Sequence, residues 1–236
     1  RSAEFSHFHL DGQTVVLEDY LAVRPERRGR LRELISSGRL LVGPWYAQPD
    51  ETLVSGEALI RNLLIGMEEA ESYGATMKVG YVPDIFGHIG QLPQILNGVG
   101  IDNALLWRGM VPPPPEKPTT EFTWQSPSGH SILGVFLSTS GYFTAPHIDN
   151  EAEIAPVLSE LAGKSAASQL LLMNGADHHH VQADLPQRLA ELNASLADYD
   201  LRISTLPDYL AALAAELTDR SALHAVTGEL RETRRS

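Results

Sequence analysis

Carboxylates placed just after short apolar runs are the residues of this chain best suited to do chemistry. Asp84 follows the run 78–82 and Pro83, and leads into Phe86, Gly87 and His88. Asp177 follows the run 170–173 and precedes His178, His179 and His180. Asp50 and Glu51 follow a third run, 40–43, through the loop PWYAQPDE. One such Asp is ordinary, because Asp caps helices and fills loops. Three at equivalent strand ends point to a cleft. Two carboxylates facing one cleft can act as nucleophile and general acid at a sugar carbon, with retention at a separation of roughly 5–5.5 Å and inversion at a wider one.

The aromatic residues Trp45, Tyr46, Phe86, Trp107 and Tyr142 share these strand ends. Aromatics beside carboxylates suit a pyranose, which has an apolar face and polar edges, although packing in the core is the usual fate of Trp and Phe. Arg108, next to Trp107, can clamp a substrate or pair with one of the many acids. The three consecutive histidines cannot all point at one ion. Asp84 and His88, four apart, would share a face only in a helix, which Gly87 opposes. A catalytic metal normally takes three protein ligands and an open position, and no such trio stands out by spacing. The absence of Cys removes a thiol nucleophile and a Cys-type zinc site. No phosphate-loop, dinucleotide or G-x-S-x-G motif is present.

The elements that must position these residues read as an alternation. Helices are expected at 15–23, 25–35, 56–73 and 92–99, with Gly38 and Gly74 just past two of their ends. Short buried strands are expected at 40–43, 78–82 and 104–107, and a hairpin joins 122–125 to 131–138 across the turn signal at 126–129. The alternation continues as helix 151–163, strand 169–173, helix 185–197, strand 201–204 and helix 207–217. Strands alternating with helices imply an α/β fold with a largely parallel sheet, either a barrel or an open sheet, whose chemistry gathers at the carboxyl ends of its strands. The only low-complexity tract is the proline run 112–115.

With 236 residues, 43% hydrophobic and 20% charged, the chain can bury a core without a staple, and it shows no clean linker, so residues 1–236 form one domain or part of one. Its 18 Lys+Arg against 30 Asp+Glu give a net charge of −12, which argues against nucleic acid and anionic membranes as partners. No apolar run approaches the roughly 18 residues that a membrane-spanning helix needs. The first residues lack the basic and apolar regions of a signal peptide.

Taken together, HLDGQTVVLEDYL (9–21), GRLLVGPWYAQPDE (38–51), VSGEALIRNLLIG (54–66), GYVPDIFGHIGQLPQIL (80–96), LLWRG (105–109) and MNGADH (173–178) resemble the N-terminal catalytic domain of α-mannosidases of glycoside hydrolase family 38, the bacterial branch most closely. The resemblance implies a seven-stranded (β/α) barrel, incomplete in this chain, and a retaining, zinc-dependent exo-α-mannosidase. By motif it places the nucleophile, which is also a zinc ligand, at Asp84 and the acid/base at Asp177. Phe86 matches the aromatic beside the nucleophile, Arg108 and Tyr142 match substrate-contacting residues, and Asp50 and Trp45, in a loop that shapes the cleft, are expected to bind substrate with them. The family's first zinc pair, a His-x-Asp motif, lies upstream of the residues present, and its last zinc His follows a G-E-L-R-like segment, here TGELR at 227–231. The comparison therefore makes the chain an internal fragment in which Asp84 is the one Zn2+ ligand, most of the ion's ligands lying outside it; the fragment alone is expected to be inactive. An α-mannoside is the implied substrate. A homo-oligomer is allowed, and the cytoplasm is the expected compartment. Two competitors stand beside this reading: a metal-dependent carbohydrate deacetylase, which uses a metal-bound water and no covalent sugar intermediate, and a non-catalytic sugar-binding module.

Overall fold

A computed structural model describes residues 5–111, 120–137 and 140–232. The proline run 112–115 lies outside the described residues. Strand β1 (Phe8–His9) pairs in parallel with β2 (Leu40–Leu41). Between them lie α1 (Val15–Val23), a 3-10 turn (Pro25–Arg27) and α2 (Arg28–Ser36). Pro25 opens the turn, where its missing N–H is harmless, and Gly38 leaves α2 with a φ of 71°. Next comes α3 (Gly56–Tyr73), whose cap is the Ser55 side chain accepting the Ala58 N–H.

The second sheet has five strands in the order β3-β4-β6-β5-β7. Strand β3 (Gly80–Val82), then α4 (Leu92–Gly98), β4 (Asn103–Leu106), β5 (Glu121–Gln125) and β6 (Ser131–Phe136) follow along the chain. The sheet is mixed: β3, β4 and β6 run parallel, β5 is antiparallel to β6 as the expected hairpin requires, and β7 (His224–Thr227) is parallel to β5. Both faces are covered, and successive residues point to opposite sides. In β4, Ala104 and Leu106 join Leu59, Leu63 and Leu96 of α3 and α4, while Leu105 joins Leu210 and Leu213 of the last helix. Burial on both faces accounts for the uninterrupted apolar runs of β3, β4 and β6.

The remaining helices are α5 (Glu151–Lys164), α6 (Leu185–Ser195) and α7 (Leu206–Glu216). The stretches 169–173 and 201–204, expected as strands, are not strands among the described residues. Their side chains still alternate: Leu170, Leu172, Leu201 and Ile203 pack with α5 and α6, and Leu171 and Met173 pack toward β4 and α7. An apolar pattern fixes which side each residue faces. A ladder also needs a neighbouring strand that exchanges repeated hydrogen bonds; here the Ala145 N–H donates to the Met173 carbonyl at 3.0 Å, but no strand pairing is described for either stretch. The architecture is thus a mixed α/β fold with helices on both faces of its larger sheet.

Candidate active site

One cleft of about 1210 Å³ runs along the ends of β1 and β3 and past the stretches 168–177 and 198–206. Asp11, Asp50, Asp84, Phe86, Tyr142 and Asp177 all line it. The register explains the first contact within it. Val82 of β3 stands opposite Leu106 of β4, so the two chains leave the sheet side by side, and the Arg108 N–H donates to the Pro83 carbonyl at 3.0 Å. Two residues beyond each strand, Arg108 Nε donates to Asp84 Oδ1 in a close ion pair. Gly109 makes this approach feasible: its φ is 75°, and a Cβ there would fall 2.2 Å from the Gly87 nitrogen.

The guanidinium lies 4.1 Å from the Trp107 ring centroid and 5.4 Å from that of Phe86, so its planar face is sheltered while its edge meets the carboxylate. Phe86 is 68% exposed. An aromatic left in water at a cleft wall is available to stack on a ligand.

The opposite wall is built differently. Tyr142 lies in a 3-10 turn (Gly141–Phe143) and packs edge-on against Trp107 at 5.1 Å. Its hydroxyl donates to Asp177 Oδ2 at 3.1 Å, and the Arg108 side chain lies beside it. Asp84 with Arg108 and Tyr142 with Asp177 are therefore two polar pairs that stand side by side in the cleft. Side-chain clamps fix this wall: Gln182 accepts from the Ile148 N–H at 2.9 Å and donates to its carbonyl at 2.8 Å, while Asn174 donates to the Ala145 carbonyl at 3.1 Å. The same clamps stack the imidazoles of His147 and His179, 5.5 Å apart.

The structure corrects one expectation. Trp45 is 0% exposed, donates from Nε1 to the Tyr81 carbonyl at 3.1 Å, and lies in the core with Leu59 and Leu63. It cannot touch a ligand; it supports β3 from beneath. Asp50 is exposed in the cleft wall, and the next residue, Glu51, turns inward to a buried pair with His88.

Sequence reasoning missed Asp11. It follows β1 with a φ of 36° and is held by Gln13, which donates to Oδ2 at 2.9 Å. Burial raises its pKa against the opposing Gln13 hydrogen bond, and the charges of Asp177 and Asp84 push it further the same way. Three carboxylates thus share one electrostatic environment. Asp11 stood inside the quoted stretch HLDGQTVVLEDYL, but the two-residue β1 before it is too short to read as a strand. Nearby, His9 packs edge-on against Tyr81 at 4.7 Å with its Nε2 buried and unpartnered, and burial lowers its pKa to about 4.

Metal ligation was tested against the same geometry. Among the described residues no group of three His, Asp or Glu side chains is arranged to hold a metal ion, and one oxygen of Asp84 already meets Arg108. The described residues therefore do not by themselves supply the three protein ligands of a catalytic zinc ion. No helix among the described residues is long and apolar enough to cross a membrane.

Comparison with known proteins agrees with this picture. Residues 3–229 match the family model for the N-terminal domain of glycosyl hydrolases family 38. The chain is 38% identical to a protein of Halalkalibacterium halodurans named "Putative mannosylglycerate hydrolase", over 96% of this chain and 27% of that protein. It superimposes on the crystal structure of an α-mannosidase from Enterococcus faecalis with a TM-score of 0.90 at 36% identity, covering 98% of this chain and 26% of the other. A 4-α-glucanotransferase from Thermococcus litoralis, at 15% identity and a TM-score of 0.61, shares the fold alone. The chain spans about a quarter of the length of the first two proteins. It belongs to the glycosyl hydrolases of family 38, as part of their N-terminal domain.

Proposed function

We propose that the protein containing this chain is a retaining exo-α-mannosidase, with Asp84 as nucleophile and Asp177 as acid/base. The observation that carries this reading is that two carboxylates line one cleft, Asp84 held by Arg108 and Asp177 by Tyr142. Such a pair suits a double displacement. In the first step Asp177, protonated, gives its proton to the glycosidic oxygen while an Asp84 oxygen attacks the anomeric carbon, forming a glycosyl ester and releasing the aglycone. In the second step Asp177 takes a proton from water, the water attacks the same carbon, and the ester bond to Asp84 breaks. Two inversions give net retention.

The surroundings divide the two carboxylates between these roles. Arg108 donates to Asp84 and orients its carboxylate, as a nucleophile requires. Asp177 is exposed at the mouth, where it can exchange a proton with water and reach a leaving group. Phe86 offers a stacking face, and Asp50 and Asp11 offer acceptors for sugar hydroxyls. The family relationship supports an α-mannoside substrate, either a glycan terminus or a mannosylated small molecule, and completion of the mixed sheet as a seven-stranded barrel. The family expectation of zinc finds no trio of ligands among the described residues, so the steps above are derived from the carboxylates alone.

Hydrolysis of an aryl α-mannoside by the full-length protein, with and without a chelator, tests the reading. Turnover with retained anomeric configuration supports it, and absence of turnover from the folded, zinc-supplied protein overturns it. Loss on chelation with recovery on adding zinc makes the metal part of the reaction. A 2-deoxy-2-fluoro mannosyl donor should label Asp84; a deacetylase would leave it unlabelled.

A further inference from the structure

The buried pair of Glu51 and His88 lies outside the four residues that carry the chemistry, yet it touches one of them at its root. Both side chains are 0% exposed. His88 Nδ1 lies 2.8 Å from Glu51 Oε1, and Glu51 Oε2 accepts from the Ile89 N–H at 3.0 Å. The other ring nitrogen, Nε2, lies 3.0 Å from the carbonyl oxygen of Arg108. A carbonyl only accepts, so Nε2 carries a proton, and a further proton lies between Nδ1 and Oε1. The ring meets Trp124 edge-on at 5.9 Å. The His88 backbone exchanges both hydrogen bonds with Leu230, at 2.9 and 3.0 Å.

A dry ionisable pair is a poor way to gain stability, because apolar side chains of similar volume fill the same space without the desolvation cost. Its geometry accounts for it better. Glu51 comes from the loop after β2, His88 and Ile89 from the loop after β3, and Arg108 from the segment after β4. The imidazole thus links three successive strand ends, and its last contact is the backbone of the residue that holds Asp84.

We propose that Glu51 and His88 are positioning residues: they fix the Arg108 backbone so that its guanidinium rests on Asp84 and keeps that carboxylate aimed. The inference rests on the mannosidase reading for its kinetic consequence and on geometry alone for its structural one. A pair that merely fills the core would affect folding and leave kcat per folded molecule intact.

Three variants of the full-length protein separate these cases. Glu51→Leu/His88→Phe replaces the pair by apolar groups and should fold near the parent's Tm, yet lose on the order of 10- to 100-fold in kcat with KM within about threefold. Glu51→Gln can turn its amide so that its carbonyl takes the Ile89 N–H and its NH2 donates to Nδ1 of a neutral imidazole, leaving Nε2 on Arg108; it should stay within about threefold of the parent. Adding the apolar pair to Arg108→Ala should cost nothing beyond Arg108→Ala alone. Losses that multiply, a loss confined to KM, or a Gln variant as poor as the apolar one would overturn the proposal. Crystal structures of the apolar and Gln variants decide the point without turnover: Arg108 should leave Asp84 in the first and stay in the second. Arg108 still on Asp84 in the apolar variant sinks the inference even in an active enzyme. A parent that cleaves no mannoside fails the functional reading instead, while the structures still decide the positioning role.

Discussion

The two walls of the cleft are held by different forces. Asp84 stands two residues beyond β3, next to a strand in register with it, and the loop behind it is anchored by the buried Glu51–His88 pair. Asp177 follows a stretch that alternates like a strand but has no described ladder, and its wall is held by side chains, Gln182 and Asn174 above all. Backbone ladders set position through many cooperating bonds, whereas two amide side chains set it through a few. The proposed nucleophile, which must sit in line with the anomeric carbon in both steps, is on the ladder side. The proposed acid/base, which must exchange protons with solvent and serve different leaving groups, is on the clamped side. Bond-making needs the tighter geometry, and the contrast matches that need.

The largest effect should come from breaking the ladder side at its functional end. Asp84→Asn keeps the shape and loses the charge, so kcat should fall by roughly 10³-fold or more with any leaving group. Comparable turnover in the variant would remove Asp84 from the nucleophile role. On the clamped side the loss should depend on the substrate. Asp177→Asn should cost about 10²- to 10⁴-fold on a natural mannoside and far less on an activated aryl mannoside, whose leaving group needs little protonation. Equal losses on both would take the acid role away from Asp177.

How much of this was legible in the sequence follows the same division. The helices α1 and α3 fall where periodicity places them, α3 with Gly74 at its end, and the hairpin β5–β6 falls on its turn signal. Asp84, Arg108 and Phe86 were readable because each sits at a fixed offset from a continuous apolar run. Trp45 was misread because an aromatic at a strand end looks the same whether it faces the cleft or the core; only the packing of α3 against β3 decides. The stretches 169–173 and 201–204 had the right alternation but lacked a described pairing partner, which no local pattern can supply. Glu51 was visible as a strand-end acid, yet its partner was 37 residues away. Asp11 and β7 were missed since strands of two or four residues with half-exposed patterns carry almost no periodic signal.

A gentler perturbation checks the clamps themselves. Gln182 is buried and satisfies both backbone groups of Ile148. Gln182→Leu fills the space but leaves that N–H and carbonyl unpartnered, which should lower stability by about 3 kcal/mol. The surviving folded protein should lose more activity on a poor leaving group than on an activated one, because Asp177 and Tyr142 move together. Urea titration and a comparison of the two substrates measure both quantities, and an even loss on the two substrates would mean that Gln182 does not govern the acid wall.

The smallest expected effect belongs to the ladder side and appears only in acid. Burial lowers the pKa of His9 to about 4, against 6.5 in an unfolded chain. As pH falls, the unfolded chain therefore takes up the proton first, so the folded state loses stability between these two values and is unaffected above them. At pH 5 the loss should be about 2 kcal/mol. Asp11, Glu69 and Glu121, whose pKa values burial raises, pull the other way in the same range, so total stability against pH would hide the effect. The difference between the parent and His9→Leu isolates it, because the three acids are common to both proteins. That difference in urea midpoint should be constant from pH 7 to 8 and shift in favour of the leucine variant toward pH 5. A difference that stays flat to pH 5 would mean that the His9 ring is hydrated in solution, and that the edge of β1 beside Asp11 is wetter than its packing against Tyr81 implies.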